Sequence, residues 1–195
     1  MIMANRLKVI YLPGRGSMPA WQREVVAAIG PKHDLRIYDE AQPLGPQFAD
    51  VDAVVDLGGS WGNRAQLDAA PQVRFWQILG TGIEHFDLDY WANRPVLIAN
   101  CPGPMSAIPL AEHAMLLMML VRRNYVQQVR NLADGVMYQP LGLELAGQTL
   151  LCIGFGASAR ELSRRANAFG MRVIATDIVP VSDAERTEWG AGAVY

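Results

Sequence analysis

Gln148-Thr149-Leu150-Leu151-Cys152-Ile153-Gly154-Phe155-Gly156-Ala157-Ser158-Ala159 is an apolar run that breaks into a glycine-rich turn, and its reading decides the fold. Residues 149–153 have the length and aliphatic content of a buried strand. Gly154 lets the chain turn sharply out of that strand, because a residue without Cβ enters backbone conformations that others avoid. Beyond it, Ala159, Leu162, Ala166 and Phe169 recur at three- and four-residue spacing. That spacing predicts an amphipathic helix with Arg160, Glu161, Arg164 and Arg165 facing water. Gly170 ends the helix as a C-terminal cap, and Arg172-Val173-Ile174-Ala175-Thr176-Asp177 is a second strand closed by an acid.

Strand, glycine turn, helix, strand and terminal acid together form the layout that holds the adenosine half of a dinucleotide. Gly154, Gly156 and Ala159 occupy the three positions of a G-x-G-x-x-A motif. Gly156 has no Cβ to keep the backbone from a pyrophosphate, and the free N–H groups at the helix start, from Gly156 through Ala157 and Ser158, favour an anion. Asp177 lies 23 residues after Gly154, where its carboxylate can accept both ribose hydroxyls and repel a 2′-phosphate. Gly154, Gly156, Ala157, Ser158 and Asp177 are therefore candidate cofactor-binding residues, with NAD favoured over NADP. A glycine pair after a strand, taken alone, would be only a tight turn.

The chain has 195 residues, is 51% hydrophobic and carries a net charge of −2. That is ordinary globular material, long enough for one large or two small domains. No basic excess points to nucleic acid. Cys101 and Cys152 lie in apolar strand-like runs and read as buried free thiols in a reducing compartment, with no metal site expected. Met1 to Arg6 contains no signal-peptide core, and the longest apolar stretch, Ala114 to Val121, is too short to span a bilayer. These features predict a cytoplasmic protein with no membrane partner.

The first half alternates strands at 7–12, 34–38, 51–57, 73–79 and 96–100 with helices at 21–29 and near 64–69. Such alternation implies an α/β fold with a flavodoxin-like parallel sheet, its loops at the carboxyl ends forming a cleft. Pro102-Gly103-Pro104 breaks the pattern. A long apolar helix follows to about Arg123, with Pro109 expected in its first turn, where a missing N–H costs nothing. A second helix spans roughly 126–137, and Pro140-Leu141-Gly142 resets the chain. The expected division is a first domain over 1–101 and an incomplete Rossmann domain over 102–195.

Several blocks now line up in order: Leu79-Gly80-Thr81-Gly82-Ile83-Glu84-His85-Phe86-Asp87, Val96 to Asn100 with Cys101-Pro102-Gly103, Ala111-Glu112-His113, the Gly154 turn, and Phe169 to Asp177. Over nearly the whole chain they resemble the NAD-dependent D-isomer-specific 2-hydroxyacid dehydrogenases. The resemblance implies a first domain that binds a small 2-hydroxy or 2-oxo acid, a second that binds NAD, and hydride transfer in the cleft between them. It places the substrate carboxylate on backbone N–H groups of Gly80-Thr81-Gly82, with Thr81 also near the cofactor and Gly58-Gly59-Ser60 as a weaker substrate contact. Consecutive N–H groups in a glycine-rich loop do form an anion nest, although a plain strand-to-helix turn has the same sequence. Met115, Met118 and Met119 read on their own as core; the resemblance assigns the 107–137 helices to a homodimer contact.

The Arg, Glu and His that carry the family's chemistry are implied beyond Tyr195, so no catalytic residue is assigned here. His33, His85 and His113 read as structural or surface histidines, and Glu112, Arg122 and Arg123 as helix-end or packing charges. The expectation is a truncated chain, inactive alone, with the 149–153 strand unpaired along one edge, poor order or solubility after about Pro140, and residual affinity for the ADP portion of NAD. The alternatives are a non-catalytic nucleotide-binding or dimerisation module of the same descent and a doubly wound regulator without cofactor.

Overall fold

Aliphatic runs of the first hundred residues form one parallel sheet in the computed structural model, which describes residues 6–14, 18–57, 62–84 and 86–195. The chain divides into two units, Met1–Cys101 and Pro102–Tyr195. In the first, β1 (Lys8–Leu12), α1 (Ala20–Ile29), β2 (Asp34–Ile37), α2 (Leu44–Phe48), β3 (Ala53–Asp56), α3 (Arg64–Ala69), β4 (Phe75–Ile78), α4 (Leu88–Ala92) and β5 (Leu97–Ala99) follow in order. The strands assemble as β2-β1-β3-β4-β5, the flavodoxin-like order expected from the alternation. All four pairings are parallel, and the register sets Leu12 beside Asp56 and Asp56 beside Ile78.

The strands are shorter than the apolar runs that announce them. Val51 and Val73 spend their N–H groups on Phe48 and Ala70 carbonyls, so these residues close turns before the ladder begins. One face of the sheet packs Ile10, Leu12, Val54, Trp76 and Ile78 against Phe48, Phe86 and Trp91. Trp76, Phe86 and Trp91 meet edge-on, the two indoles with centroids 4.6 Å apart at 87°. Edge-to-face pairs of this kind add about 0.5–1.5 kcal/mol beyond their burial. The sequence reading did not anticipate α2 and α4. The first contains Gly45 and Pro46, and the second exists through the Asp87 cap, whose carboxylate accepts the Tyr90 N–H at 3.1 Å.

The second unit contains α5 (Pro104–Arg122), α6 (Tyr125–Ala133), β6 (Thr149–Ile153), α7 (Ala157–Ala168), β7 (Arg172–Thr176), α8 (Asp183–Glu188) and β8 (Ala193–Val194). Its parallel sheet has the order β6-β7-β8, so β6 lies at an edge with Ile153 91% exposed. Met115, Leu145, Cys152, Phe155, Ala166, Met171, Val173 and Ala175 form its core.

Four expectations are corrected here. Pro109 lies inside α5, because Pro104 takes the first helical position instead. The carbonyl orphaned by Pro109 belongs to Met105, an exposed residue near the start of the helix. The second helix stops at Ala133 rather than near Met137, since Gly135 turns left-handed (φ +75°) and Val136 N–H closes on the Asn131 carbonyl. Cys101 is half-buried rather than buried, although both cysteines are free. By length and composition α5 would suffice to cross a bilayer, in contrast to the shorter run read from the sequence. In this fold it lies along α7 and places Met115 in the core.

Gly62 sits where a Cβ would stand 2.5 Å from both Asp56 Oδ2 and Phe86 Cζ. Gly62→Ala is therefore expected to destabilise the first unit by roughly 1–3 kcal/mol, read as a fall in denaturant midpoint. A midpoint equal to that of the parent would contradict this packing.

Candidate functional site

The last rung between β6 and β7 is the Gly154 N–H donated to the Thr176 carbonyl at 2.7 Å. Gly154 then takes φ +88°, a conformation that costs other L-residues roughly 1–2 kcal/mol. A Cβ on Gly154 or Gly156 would meet nothing within 4 Å, so open space rather than protein lies against the turn. Phe155 between them is 1% exposed and anchors the turn in the core.

At the head of α7 the N–H groups of Gly156, Ala157 and Ser158 donate to no acceptor among the described residues, and no side chain caps the helix. Unpaired donors and the helix dipole make this end attractive to an anion. Asp177, just past β7, folds towards the same turn. Its Oδ2 accepts the Phe155 N–H at 2.5 Å and its Oδ1 accepts the Val179 N–H at 2.8 Å. The Val179 N–H first, then the Phe155 N–H, hold its carboxyl below the usual carboxylate range, with the Ile178 N–H and the Arg160 charge adding to the effect. Each oxygen keeps acceptor capacity for a further donor.

Arg160 corrects the expectation that it merely faces water. Its Nε–H donates to the Phe155 carbonyl at 2.9 Å, and its Nη2 lies 3.2 Å from Glu185 Oε1. The aliphatic stem lets the charge reach round the helix end, which a helical projection does not register. Phe169 also departs from its expected core place; it caps α7 and is 45% exposed, while Ser163 is fully buried instead.

In the first unit, the loop after β4 is held by its carbonyls. Cys101 N–H donates to the Gly80 carbonyl at 2.9 Å, and Asn100 Nδ2 to the Thr81 carbonyl at 2.6 Å. Among the described residues, no acceptor takes the N–H groups of Thr81, Gly82 or Ile83, and Thr81 and Gly82 are exposed. The Glu84 carboxylate stands close over Gly82, where a Cβ would come within 2.7 Å of it. Gly58, Gly59, Ser60 and His85 lie outside the described residues. His33 accepts the Leu7 N–H at Nδ1, 3.4 Å away, and His113 is exposed on α5. Among the described residues no cluster of His, Cys, Asp or Glu could hold a metal ion.

One residue here escaped the sequence reading. Asp56 is fully buried at the end of β3, its Oδ2 accepting the Gly62 N–H at 3.1 Å and the Trp76 indole N–H at 3.3 Å. An acid inside the aliphatic run Val54-Val55-Asp56-Leu57 was the available signal, since carboxylates are almost never buried without partners.

Comparison with known proteins agrees with this geometry. Residues 115–193 match the family model of the D-isomer specific 2-hydroxyacid dehydrogenase NAD binding domain. The chain is 32% identical over 154 residues to a (S)-sulfolactate dehydrogenase of Chromohalobacter salexigens, covering 77% of this chain and 50% of that protein. It is 31% identical over 147 residues to a D-3-phosphoglycerate dehydrogenase of Methanocaldococcus jannaschii, covering 74% of this chain and 28% of that one. The chain thus spans half or less of the length of these relatives. Among solved structures, a 2-hydroxyacid dehydrogenase of Ketogulonicigenium vulgare superposes with a TM-score of 0.78 at 21% identity, covering 97% of this chain and 59% of its own. Sequence motifs, sheet order and these matches agree: the chain belongs to the D-isomer-specific 2-hydroxyacid dehydrogenase family, and residues 115–193 lie in its NAD-binding domain.

Proposed function

We propose that this chain contributes the substrate-binding domain and the adenosine-binding half of the cofactor domain to an oxidoreductase that moves hydride between NAD(H) and a small D-2-hydroxy or 2-oxo acid. The observation that carries the reading is the convergence at one corner of a left-handed glycine, unpaired N–H groups at the start of α7, and the Asp177 carboxylate. These residues fit the ADP part of NAD. The N–H groups of Gly156, Ala157 and Ser158 take the diphosphate, and Gly154 and Gly156 leave room for it. Asp177 accepts the ribose hydroxyls, and its charge disfavours a 2′-phosphate. When bound, the cofactor supplies or accepts the hydride through its nicotinamide.

For the substrate, the reading uses Gly80, Thr81 and Gly82: the Gly80 and Thr81 carbonyls are tied back while the Thr81 and Gly82 amides stay open to a carboxylate. The Glu84 carboxylate must swing away first, which an exposed side chain does at little cost. Thr81 is also assigned a cofactor contact, and Gly58 and Gly59 a second contact to the substrate. No proton-transfer residue is assigned within residues 1–195, so this chain by itself is proposed to bind without turnover. The reading places it in the cytoplasm and assigns a homodimer contact to the 107–137 helices. Exposed Ile108, Leu116, Leu117, Val121, Val126 and Leu132 support that contact.

Calorimetric titration of the chain with NAD tests the nucleotide site. Asp177→Ala is expected to weaken binding roughly tenfold or more and to narrow the preference over NADP. Unchanged affinity would remove the ribose assignment.

The pH profile follows from the depressed Asp177 carboxyl. A group with a lowered pKa stays ionised as pH falls through the range where a free carboxylate protonates, about 4. NAD affinity is therefore expected to hold level from neutrality down to about pH 4 and to fall only below it. A decline centred nearer pH 6 would assign the contact to another group. Sedimentation velocity is expected to show a dimer; a monomer at all concentrations would remove the helix contact.

A further inference from the structure

We propose that Arg160 is the positioning residue of the glycine turn: by holding the Phe155 carbonyl, it aims the Gly156 N–H at the diphosphate. This rests on the reading of that corner as the ADP seat. The argument begins with the peptide between Phe155 and Gly156. In a planar trans peptide the C=O and the following N–H point in opposite directions, so whatever fixes one fixes the other. Arg160 donates Nε–H to the Phe155 carbonyl at 2.9 Å, drawing that oxygen to one side. The Gly156 N–H is thereby turned to the other side, where it has no protein acceptor among the described residues.

The preceding peptide is fixed as well. Its N–H, on Phe155, is taken by Asp177 Oδ2 at 2.5 Å. Both peptide planes around Phe155 are thus set by charged side chains, while the Phe155 ring is sunk in the core with the guanidinium 5.8 Å from its centroid. Arg160 is in turn braced at its far end. Glu185 divides its two oxygens: Oε2 accepts from the Ser182 N–H at 3.1 Å and the Ser182 hydroxyl at 2.8 Å, and Oε1 faces Arg160 Nη2 at 3.2 Å. The capping box of α8 therefore supports the turn between β6 and α7 through one guanidinium. A planar fork can serve a carbonyl and a carboxylate at once; an ammonium of similar reach cannot hold both in fixed geometry.

The test titrates the full chain with ADP-ribose and with adenosine, and follows the Gly156 amide resonance by NMR. Arg160→Met is expected to weaken ADP-ribose about tenfold, to move adenosine by less than about twofold, and to shift the Gly156 amide in the unliganded protein. Arg160→Lys is expected to lose about as much, since charge without the fork leaves the peptide unheld. Glu185→Gln, which keeps Arg160 and a capping side chain, should weaken ADP-ribose about threefold, and it carries the test if the methionine variant does not fold. Wild-type affinity in Arg160→Met, unchanged affinity in Glu185→Gln, or full rescue by lysine would overturn the inference, the last by showing that charge alone acts. If the unaltered chain binds no ADP-ribose, the nucleotide reading itself fails and takes this inference with it. If the unaltered chain binds and Asp177→Ala weakens binding while Arg160→Met does not, only the role of Arg160 is lost.

Discussion

The register between β6 and β7 is the constraint on which the second unit depends. Ile153 stands opposite Thr176, and the Gly154 N–H closes the ladder on the Thr176 carbonyl. The glycine turn and the acid therefore leave the sheet at the same height, near enough for the Asp177 carboxylate to reach the Phe155 N–H. Because side chains alternate faces along a strand, a slip of one residue would send that carboxylate to the opposite side of the sheet. The register is held by burial: Cys152, Val173 and Ala175 are all in the core, and a slip would expose them together. Placement of a solvent-facing acid is thus decided by apolar side chains two to four residues away.

A comparable dependence governs the first unit through a buried carboxyl group, that of Asp56. An ionised carboxylate inside an aliphatic sheet is unfavourable by several kcal/mol unless donors surround it. Asp56 draws donors from the Gly62 backbone and the Trp76 indole, and its own carbonyl accepts the Leu79 N–H at 2.7 Å. One residue at the end of β3 thereby ties the chain that re-enters at Gly62 to β4 and to the start of the Gly80 loop. The Gly62 position tolerates no Cβ because the carboxylate and the Phe86 ring both close on it.

What the sequence disclosed was whatever depends on neighbours along the chain. The 149–177 segment was legible because an aliphatic run, a left-handed glycine and a capping glycine each act locally, and the parallel order of the first sheet followed from alternation alone. Phe169 was misplaced because periodicity counts spacing and ignores that a helix's last residue leaves the packed face. Pro109 was misplaced because a proline inside a helix is costly only if the carbonyl it orphans is buried, and burial is a tertiary property. Arg160 and Asp56 were passed over for opposite reasons. A long cationic side chain on a polar face reads as solvated, and a short acid in an apolar run reads as a strand end; in both cases the partner lies more than a helical turn away or on another strand.

Both candidate sites present backbone N–H groups whose companion carbonyls are tied behind them. The Gly80 and Thr81 carbonyls are held by Cys101 and Asn100, and the Phe155 carbonyl by Arg160. In a planar peptide, restraining the oxygen is the economical way to present the hydrogen. A site of this kind asks glycine only where a side chain would intrude, and asks one donor behind the loop; the remaining positions need only keep the chain on its path. A fold shared with a solved 2-hydroxyacid dehydrogenase at a TM-score of 0.78 but only 21% identity is what that rule permits. It follows that the residues behind the loops, more than those lining them, carry the geometric information, which is why a search for reactive side chains passes over them.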